Sequence, residues 1–316
     1  MRYDVTCLGE ILIDFTPYGQ SPSGMLLFEQ NAGGAPANVA AALAKLGRSV
    51  AFIGKSGCDM NGVFLRRSLE EAGVDTRGLL SCSDVNTSMA FVTLSPEGER
   101  DFSFIRDADT KIQIEEVNRD MILQSRVFHF GSLSMTHDPA RQTTLQALCW
   151  AREAGCIVSY DPNYRALLWP DPATAAKIMS SVVPQVDILK VSEDELVLMT
   201  GHNDLETGGK ELLRRGPVCV AVTQGSNGAT VFLPSGFVQT PTYPGQVIDT
   251  TGAGDAFMGG FLSQCLTRGI HPRDMSIDEA REISMFAHAV ATCCVAARGG
   301  IPAMPSLETV QKLLAQ

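Results

Sequence analysis

The residues best suited to chemistry lie in Asp249-Thr250-Thr251-Gly252-Ala253-Gly254-Asp255. The apolar Val247-Ile248 before them reads as a strand end, and a helix is expected from about Asp255 through Leu266. Two glycines at such a junction let successive backbone N–H groups converge on one point, beside the positive end of the helix dipole. That point is an anion hole suited to phosphate. A carboxylate in the first helical turn, Asp255, can take the proton of an attacking hydroxyl while the amides stabilise charge on a transferring phosphoryl group. Aspartate also serves as a helix N-cap, and the residues alone leave both readings open. No Lys-Ser/Thr pair follows the glycines, so the segment is not a Walker loop.

A second glycine turn, Ala32-Gly33-Gly34-Ala35-Pro36, opens an Ala-rich helix expected from about Ala37 to Leu46 and closed by Gly47. Gly33 and Gly34 permit close approach of a ligand to backbone, and Asn38 offers a donor and an acceptor to sugar hydroxyls. Asp14, read as the end of the first strand, can accept from two vicinal hydroxyls at once. In isolation these features are equally a tight turn and a strand-end aspartate.

The elements that must position these groups follow a regular rhythm. Strands are expected at Val5–Gly9, Ile11–Phe15, Val50–Ile53, Val127–Phe130, Ile157–Tyr160, Ile188–Val191 and Cys219–Thr223. Helices are expected at Phe64–Ala72, Ala140–Ala154, Pro172–Val183 and Glu193–Met199. This alternation implies βαβ units, a mostly parallel central sheet flanked by helices, and right-handed crossovers. Two stretches break the rhythm. Residues 16–31 hold turn formers and no helical period, and 88–106 alternate around Pro96-Glu97-Gly98 as a hairpin. Together they read as a small β-sheet outside the main body, a lid able to close over a substrate and expel water. The whole of 1–316 is expected to form one domain.

Composition narrows the partners. The chain has 316 residues, 45% hydrophobic, with a formal net charge of -10. An acidic surface disfavours nucleic acid and anionic membrane, and no run approaches the roughly 20 apolar residues of a bilayer span. Nine cysteines in no framework spacing, with no signal-peptide pattern at the start, point to the cytoplasm. Cys7, Cys149, Cys156, Cys219 and Cys265 sit in apolar runs and are expected to be buried.

Asp249 to Asp255 matches the D-T-x-G-A-G-D signature of the ribokinase/PfkB carbohydrate kinases, and Ala32 to Gly57 with Asn38 resembles that family's N-terminal signature. Further similarity runs through Gly9–Phe15, Phe128–Ser132, Asp161-Pro162-Asn163-Tyr164-Arg165 and Lys190–Glu195, and is greatest to the fructokinases. The resemblance implies a ribokinase-like fold and ATP-dependent phosphorylation of a primary hydroxyl, fructose to fructose 6-phosphate. It implies Asp255 as base, Gly252, Ala253 and Gly254 as anion hole, and Arg165 near the transferring phosphate. Asp14, Gly33, Gly34 and Asn38 would bind the sugar, with Arg106 reaching it from the lid.

Nucleotide contacts are implied at Lys190, Glu195, Thr223, Gly225, Gly228, Gly252, Gly254 and His288. His288 would lie beside the adenine, although on pattern alone it is a packed core histidine. The family's N-x-x-E motif reads Ser192-Glu193-Asp194-Glu195 here, so Ser replaces Asn and Glu195 keeps the acid that would hold magnesium through water. Potassium would sit at Asp249, Thr251 and the backbone of Arg298 to Gly300, and a homodimer would form through the lid. A kinase for another sugar or sugar acid, such as 2-keto-3-deoxygluconate, and a catalytically silent sugar-binding relative are the rival readings.

Overall fold

Successive residues of the apolar runs pack to opposite sides, as a sheet covered on both faces requires. Val127 and Ile188 join one core, and their neighbours Phe128 and Leu189 join the other. The computed structural model describes residues 2–94 and 100–315. The first half contains β1 (Tyr3–Leu8), β2 (Leu12–Gln20), β3 (Leu26–Gly33), α1 (Ala35–Lys45), β4 (Val50–Gly57), α2 (Met60–Glu71) and β5 (Asp75–Cys82). It continues with β6 (Met89–Leu94), β7 (Arg100–Ile105), α3 (Arg119–Leu123), β8 (Ser125–Gly131), α4 (Ala140–Glu153) and β9 (Ile157–Asp161). The second half contains α5 (Pro172–Ser181), β10 (Ile188–Ser192), α6 (Glu193–Thr200), α7 (Leu205–Arg214), β11 (Cys219–Thr223), β12 (Ala229–Leu233) and β13 (Gly236–Thr240). It ends with α8 (Ala253–Arg268), α9 (Ile277–Val295) and α10 (Leu307–Leu314).

The central sheet has the order β13-β12-β11-β10-β9-β8-β1-β4-β5. Its neighbours from β11 to β5 are parallel, and β12 and β13 close one edge antiparallel. The chain builds outward from β1 to β5, then returns to the other flank of β1 and runs out to β13. The order reverses between β1 and β8, and in open α/β sheets a ligand crevice forms at the carboxyl ends of strands at such a point. One face is covered by side chains of α1, α2, α8, α9 and α10, the other by α3 to α7.

Helix α8 lies between α1 and α9, and its Gly259-Gly260 pair sets the spacing. A Cβ on Gly259 would stand 2.6 Å from the Ala42 Cβ, and one on Gly260 2.9 Å from the Ala287 Cα. Close packing therefore brings the N-terminal turns of α1 and α8 together.

The second sheet has the order β3-β2-β6-β7. Phe91 stacks on Phe15 at 4.9 Å and meets Phe28 edge-on at 5.8 Å, tying the two hairpins together. The lid starts earlier than the sequence indicates. The chain leaves β1 at Gly9 and pairs Leu12 with Gly33 across the new sheet, so Asp14 belongs to the lid rather than to the first central strand. The expected turn at Pro96-Glu97-Gly98 lies outside the described residues. Cys149 is exposed, against expectation, because α4 buries the opposite face through Thr144, Ala147, Leu148 and Ala151. No helix of the described residues is long and apolar enough to cross a membrane.

Candidate active site

The carboxyl ends of β9, β10 and β11, the N-termini of α1 and α8, and the lid enclose a cleft of about 570 Å³. Lid residues Asp14, Thr16, Val92 and Phe104 form one wall, and Asn38, Asn163, Arg165, Lys190, Thr223 and residues 250–255 face them. Glu10 and Leu12 after β1 and Leu133 after β8 also line it, so the cleft reaches the reversal of strand order.

Gly252 occupies the N-cap of α8 with φ 76° and no side-chain cap. The Ala256 N–H closes the first helical bond on the Gly252 carbonyl at 2.8 Å. A glycine cap leaves the orphan amides of the first turn without a side-chain acceptor, the condition for holding an anion. Asp255 is therefore not a cap. Its Oδ2 accepts from Asn38 Nδ2 at 2.8 Å, and its Oδ1 lies 3.5 Å from Asn163 Nδ2. Burial, then the nearby charge of Asp161, push its pKa up, and Lys190, the Asn38 hydrogen bond and Arg165 pull it back, to about 6. Beneath it Lys190 Nζ donates to Asp161 Oδ2 at 2.8 Å in a buried ion pair. A Cβ on Gly254 would come within 2.7 Å of that ammonium, so glycine lets Lys190 rise against the first turn of α8.

On the opposite side, Gly33 makes room for Asp14, since a Cβ there would fall 2.2 Å from Asp14 Oδ2. Burial raises Asp14 to about 7, with Arg165 pulling it down and Asp255 and Asp249 adding to the rise. Gly34, at φ 110°, caps α1 and passes so close to the Glu10 carbonyl that a Cβ would lie 2.5 Å away. Glu10 also lines the cleft. Its Oε1 accepts from the Ala35 N–H at 2.9 Å, and its Oε2, like Asn38 Oδ1, is buried with no protein partner. Orphaned acceptors in a concave site are what a hydroxyl-rich ligand would satisfy. Arg165 is exposed at the rim, its Nη1 donating to the Tyr164 carbonyl at 3.0 Å.

The side chains of two expected contacts, Arg106 and His288, are held away from the cleft by other partners. Arg106 does not line it, because Asp109 takes its Nε at 2.8 Å and its Nη2, and the Leu133 carbonyl takes Nη2 at 3.2 Å. His288 is 3% exposed in α9, with Nε2 3.1 Å from Thr240 Oγ1 and its ring 5.0 Å from Phe257. It is a packed core histidine, and burial pushes it down to about 4.

Thr223 lines the cleft, whereas Gly225 (φ 55°) and Gly228 (φ 95°) shape the turn beyond it. Glu195 forms a capping box at the start of α6, with Oε2 accepting from the Ser192 N–H at 2.7 Å. Its Oε1 accepts from the Tyr164 N–H at 2.6 Å, so the carboxylate ties two strand-end loops and still faces the cleft. Asp249 gathers the expected potassium region. Its Oδ1 accepts from the Thr251 N–H and hydroxyl at 2.9 and 2.7 Å, and its Oδ2 from the Gly299 N–H at 3.1 Å. Gly300 abuts Asn38, where a Cβ would stand 2.5 Å from Oδ1, while the Arg298 side chain turns away to Glu29 at 2.8 Å. No cluster of three His, Cys, Asp or Glu suited to a metal occurs among the described residues.

Glu10, Asp161 and Asn163 carry no assigned role in the sequence reading, yet each lines the cleft or touches a group that does. The one local signal is Asn163, a non-glycine residue at φ 46° directly after Asp161-Pro162.

A doubly wound sheet thus brings together a glycine-capped helix start, a buried carboxylate and a β-lid. The chain belongs to the pfkB family of carbohydrate kinases, whose family model matches residues 2–307. It is 38% identical over 324 residues to probable fructokinase-7 of Arabidopsis thaliana, covering 98% of this chain and 92% of the relative. Its structure resembles that of fructokinase with bound ATP from Xylella fastidiosa, with a TM-score of 0.92, 33% identity, and coverage of 100% and 99%. It also resembles a fructokinase double mutant from Vibrio cholerae O395 in fructose, ADP and potassium ion bound form, with a TM-score of 0.88, 28% identity, and coverage of 99% and 98%.

Proposed function

We propose that this carbohydrate kinase is a fructokinase, transferring the γ-phosphoryl group of ATP to the 6-hydroxyl of fructose. The observation that carries the reading is the Asp255 carboxylate, buried in the cleft beside a glycine-capped helix start. Ionised Asp255 accepts the proton of the attacking hydroxyl. The sugar oxygen forms its bond to the γ-phosphorus as the bond to ADP breaks, and ADP leaves with that electron pair. The amides of Gly252 and Gly254, joined by that of Ala253, which also donates to the Thr250 carbonyl at 3.2 Å, would face the charge that develops, and Arg165 adds a fixed cation at the rim. Asp14, Asn38 and the Gly33-Gly34 backbone hold the sugar, and Arg106 supports this wall through Asp109 and Leu133.

Nucleotide lies along Thr223 and the Gly225–Gly228 turn, with Lys190 beneath its phosphates. His288 acts by packing this side of the cleft. Magnesium would neutralise phosphate charge, and Glu195, whose oxygens each keep a lone pair beyond their amide bond, would hold its waters. Potassium would bind where Asp249, Thr251 and the 298–300 backbone converge, so replacing potassium with choline is expected to lower the rate, and an equal rate removes this cation. The exposed apolar side chains Tyr18, Met25, Leu26, Leu27 and Phe28 on β2 and β3 and their connecting turn support a homodimer through the lid. Sedimentation as a monomer overturns that. Nine free cysteines favour a reducing compartment, the cytoplasm.

The test is a coupled ADP-release assay with MgATP and fructose, ribose, 2-keto-3-deoxygluconate or adenosine. Turnover on fructose is expected, with the product identified by NMR as the 6-phosphate. Preference for another acceptor discards fructose, and no turnover by folded protein favours the silent relative. Asp255→Asn should lose on the order of 100-fold or more in kcat, and substantial residual turnover would sink its role as base.

A further inference from the structure

Behind the sugar wall lies a charged cluster that the phosphoryl chemistry leaves unexplained. The side chains of Arg106 and Asp109 are 7% and 0% exposed. Asp109 accepts from Arg106 with one oxygen and from the Ser88 hydroxyl with the other. Arg106 leans on the carbonyl of Leu133, a residue of the cleft wall, at 3.2 Å. Its Nη1 is buried without a partner, as is Oε2 of Glu10, and the two groups are within electrostatic reach. One cation thus faces two carboxylates, one of which, Glu10, opens into the cleft.

The charges that line the cleft itself lean the same way. Glu10, Asp14 and Asp255 present carboxylates to the sugar end, whereas Lys190 is already bonded to Asp161 and Arg165 sits exposed at the rim. A neutral polyol supplies hydroxyl donors to such a wall. A sugar carboxylate would meet like charge, while the buried guanidinium of this side, Arg106, is paired with Asp109 through Nε and Nη2.

We propose that Asp109 is a specificity-determining residue: by neutralising Arg106 behind the wall it keeps the sugar end acidic and excludes anionic sugars. Asp109 touches no substrate and acts through Arg106 as a positioning residue. Without its charge, the guanidinium would lend a net positive potential to the Leu133 and Glu10 side of the cleft, which favours a carboxylate-bearing ligand. Discrimination by an unfavourable charge arrangement is a general route to specificity.

This inference rests on the fructokinase reading, and the experiment separates the two. Dissociation constants of fructose and 2-keto-3-deoxygluconate are measured by calorimetry for wild type, Asp109→Asn, Arg106→Met and the double variant. Wild type should bind fructose more tightly than the sugar acid, and the reverse order fails the fructose reading itself. Asp109→Asn should shift the ratio toward the acid by about tenfold or more, and the double variant should return it toward wild type, as coupled residues do. An unchanged ratio in Asp109→Asn, or a double variant that keeps the shifted ratio, overturns the inference alone. A purely structural role would weaken both ligands together, and that outcome also overturns it. If Asp109→Asn does not fold, Glu10→Gln removes the other carboxylate of the cluster, and no shift toward the acid in that variant overturns the proposal.

Discussion

As the proposed base, Asp255 faces opposing demands, because a proton acceptor must be ionised at working pH and yet basic enough to take a proton. Burial and the Asp161 charge settle the matter near 6, above the ordinary carboxylate range. The ionised form is the active one, so kcat/KM for fructose should rise as pH increases through about 6 and level off above it. A profile flat down to the ordinary carboxylate range would remove Asp255 from the limiting step. Asp14, at about 7, should add a second acid limb visible in KM, since on the proposed reading its ionised form would accept the sugar hydroxyls. Gly33 adjoins that carboxylate. Gly33→Ala, with its Cβ 2.2 Å from Asp14 Oδ2, should raise the fructose KM about tenfold, a loss of about 1.4 kcal/mol. The KM for ATP should hardly move, and equal rises in both would place Gly33 outside the sugar site. Asp255, Asp14, Gly33 and Asn38 were legible as candidates through the resemblance of their motifs to a known family, since the residues alone left a helix cap, a strand-end aspartate and a tight turn equally open. Glu10 and Asp161 were not, because their interest comes from burial and from partners such as Ala35 and Lys190. Arg106 and His288 were legible as residue types, but their side chains are claimed by Asp109 and by Thr240 and Phe257.

At the scale of elements, the site depends on how closely α1 and α8 approach. Asn38 and Asp255 are 217 positions apart and meet at 2.8 Å only because Gly259 admits Ala42. Gly259→Ala should therefore act at a distance, destabilising by about 1–3 kcal/mol through overpacking and lowering kcat as the Asn38 bond lengthens. Chemical denaturation and the ADP-release assay would report the two effects, and a stable variant with full kcat would contradict this coupling. The strands and helices from Val127 to Thr223 were readable where apolar periods are strong. No element was expected at α7, because Gly208 and Gly209 interrupt LETGGKELLR and glycine lowers helix propensity. The fold uses them for contact: a Cβ on Gly208 would lie 2.5 Å from Leu196 and one on Gly209 2.5 Å from Phe232. Local sequence records the propensity cost, not the tertiary neighbour that offsets it.

At the scale of the whole molecule, the cleft lies between a body that carries Asp255 and Lys190 and a lid that carries Asp14 and Phe104. Hydrogen exchange should show the backbone amides of β2, β3 and β6 slowed by fructose and much less by ADP alone, since Asp14 and Gly33 of the proposed sugar site lie on the lid. Equal protection by ADP alone would contradict that division. The doubly wound body was legible from the βαβ rhythm, and the lid from its loss, but the point at which the chain passes from one to the other was not. That passage, at Gly9 to Leu12, decides more than topology. Because β2 carries Asp14, the proposed sugar contact, and also forms the cover, recognition and enclosure would be one event, and the protein would behave as a coincidence gate. The phosphate donor alone would give such a gate no reason to shut. In a cell rich in ATP and poor in sugar, it would spare the nucleotide pool.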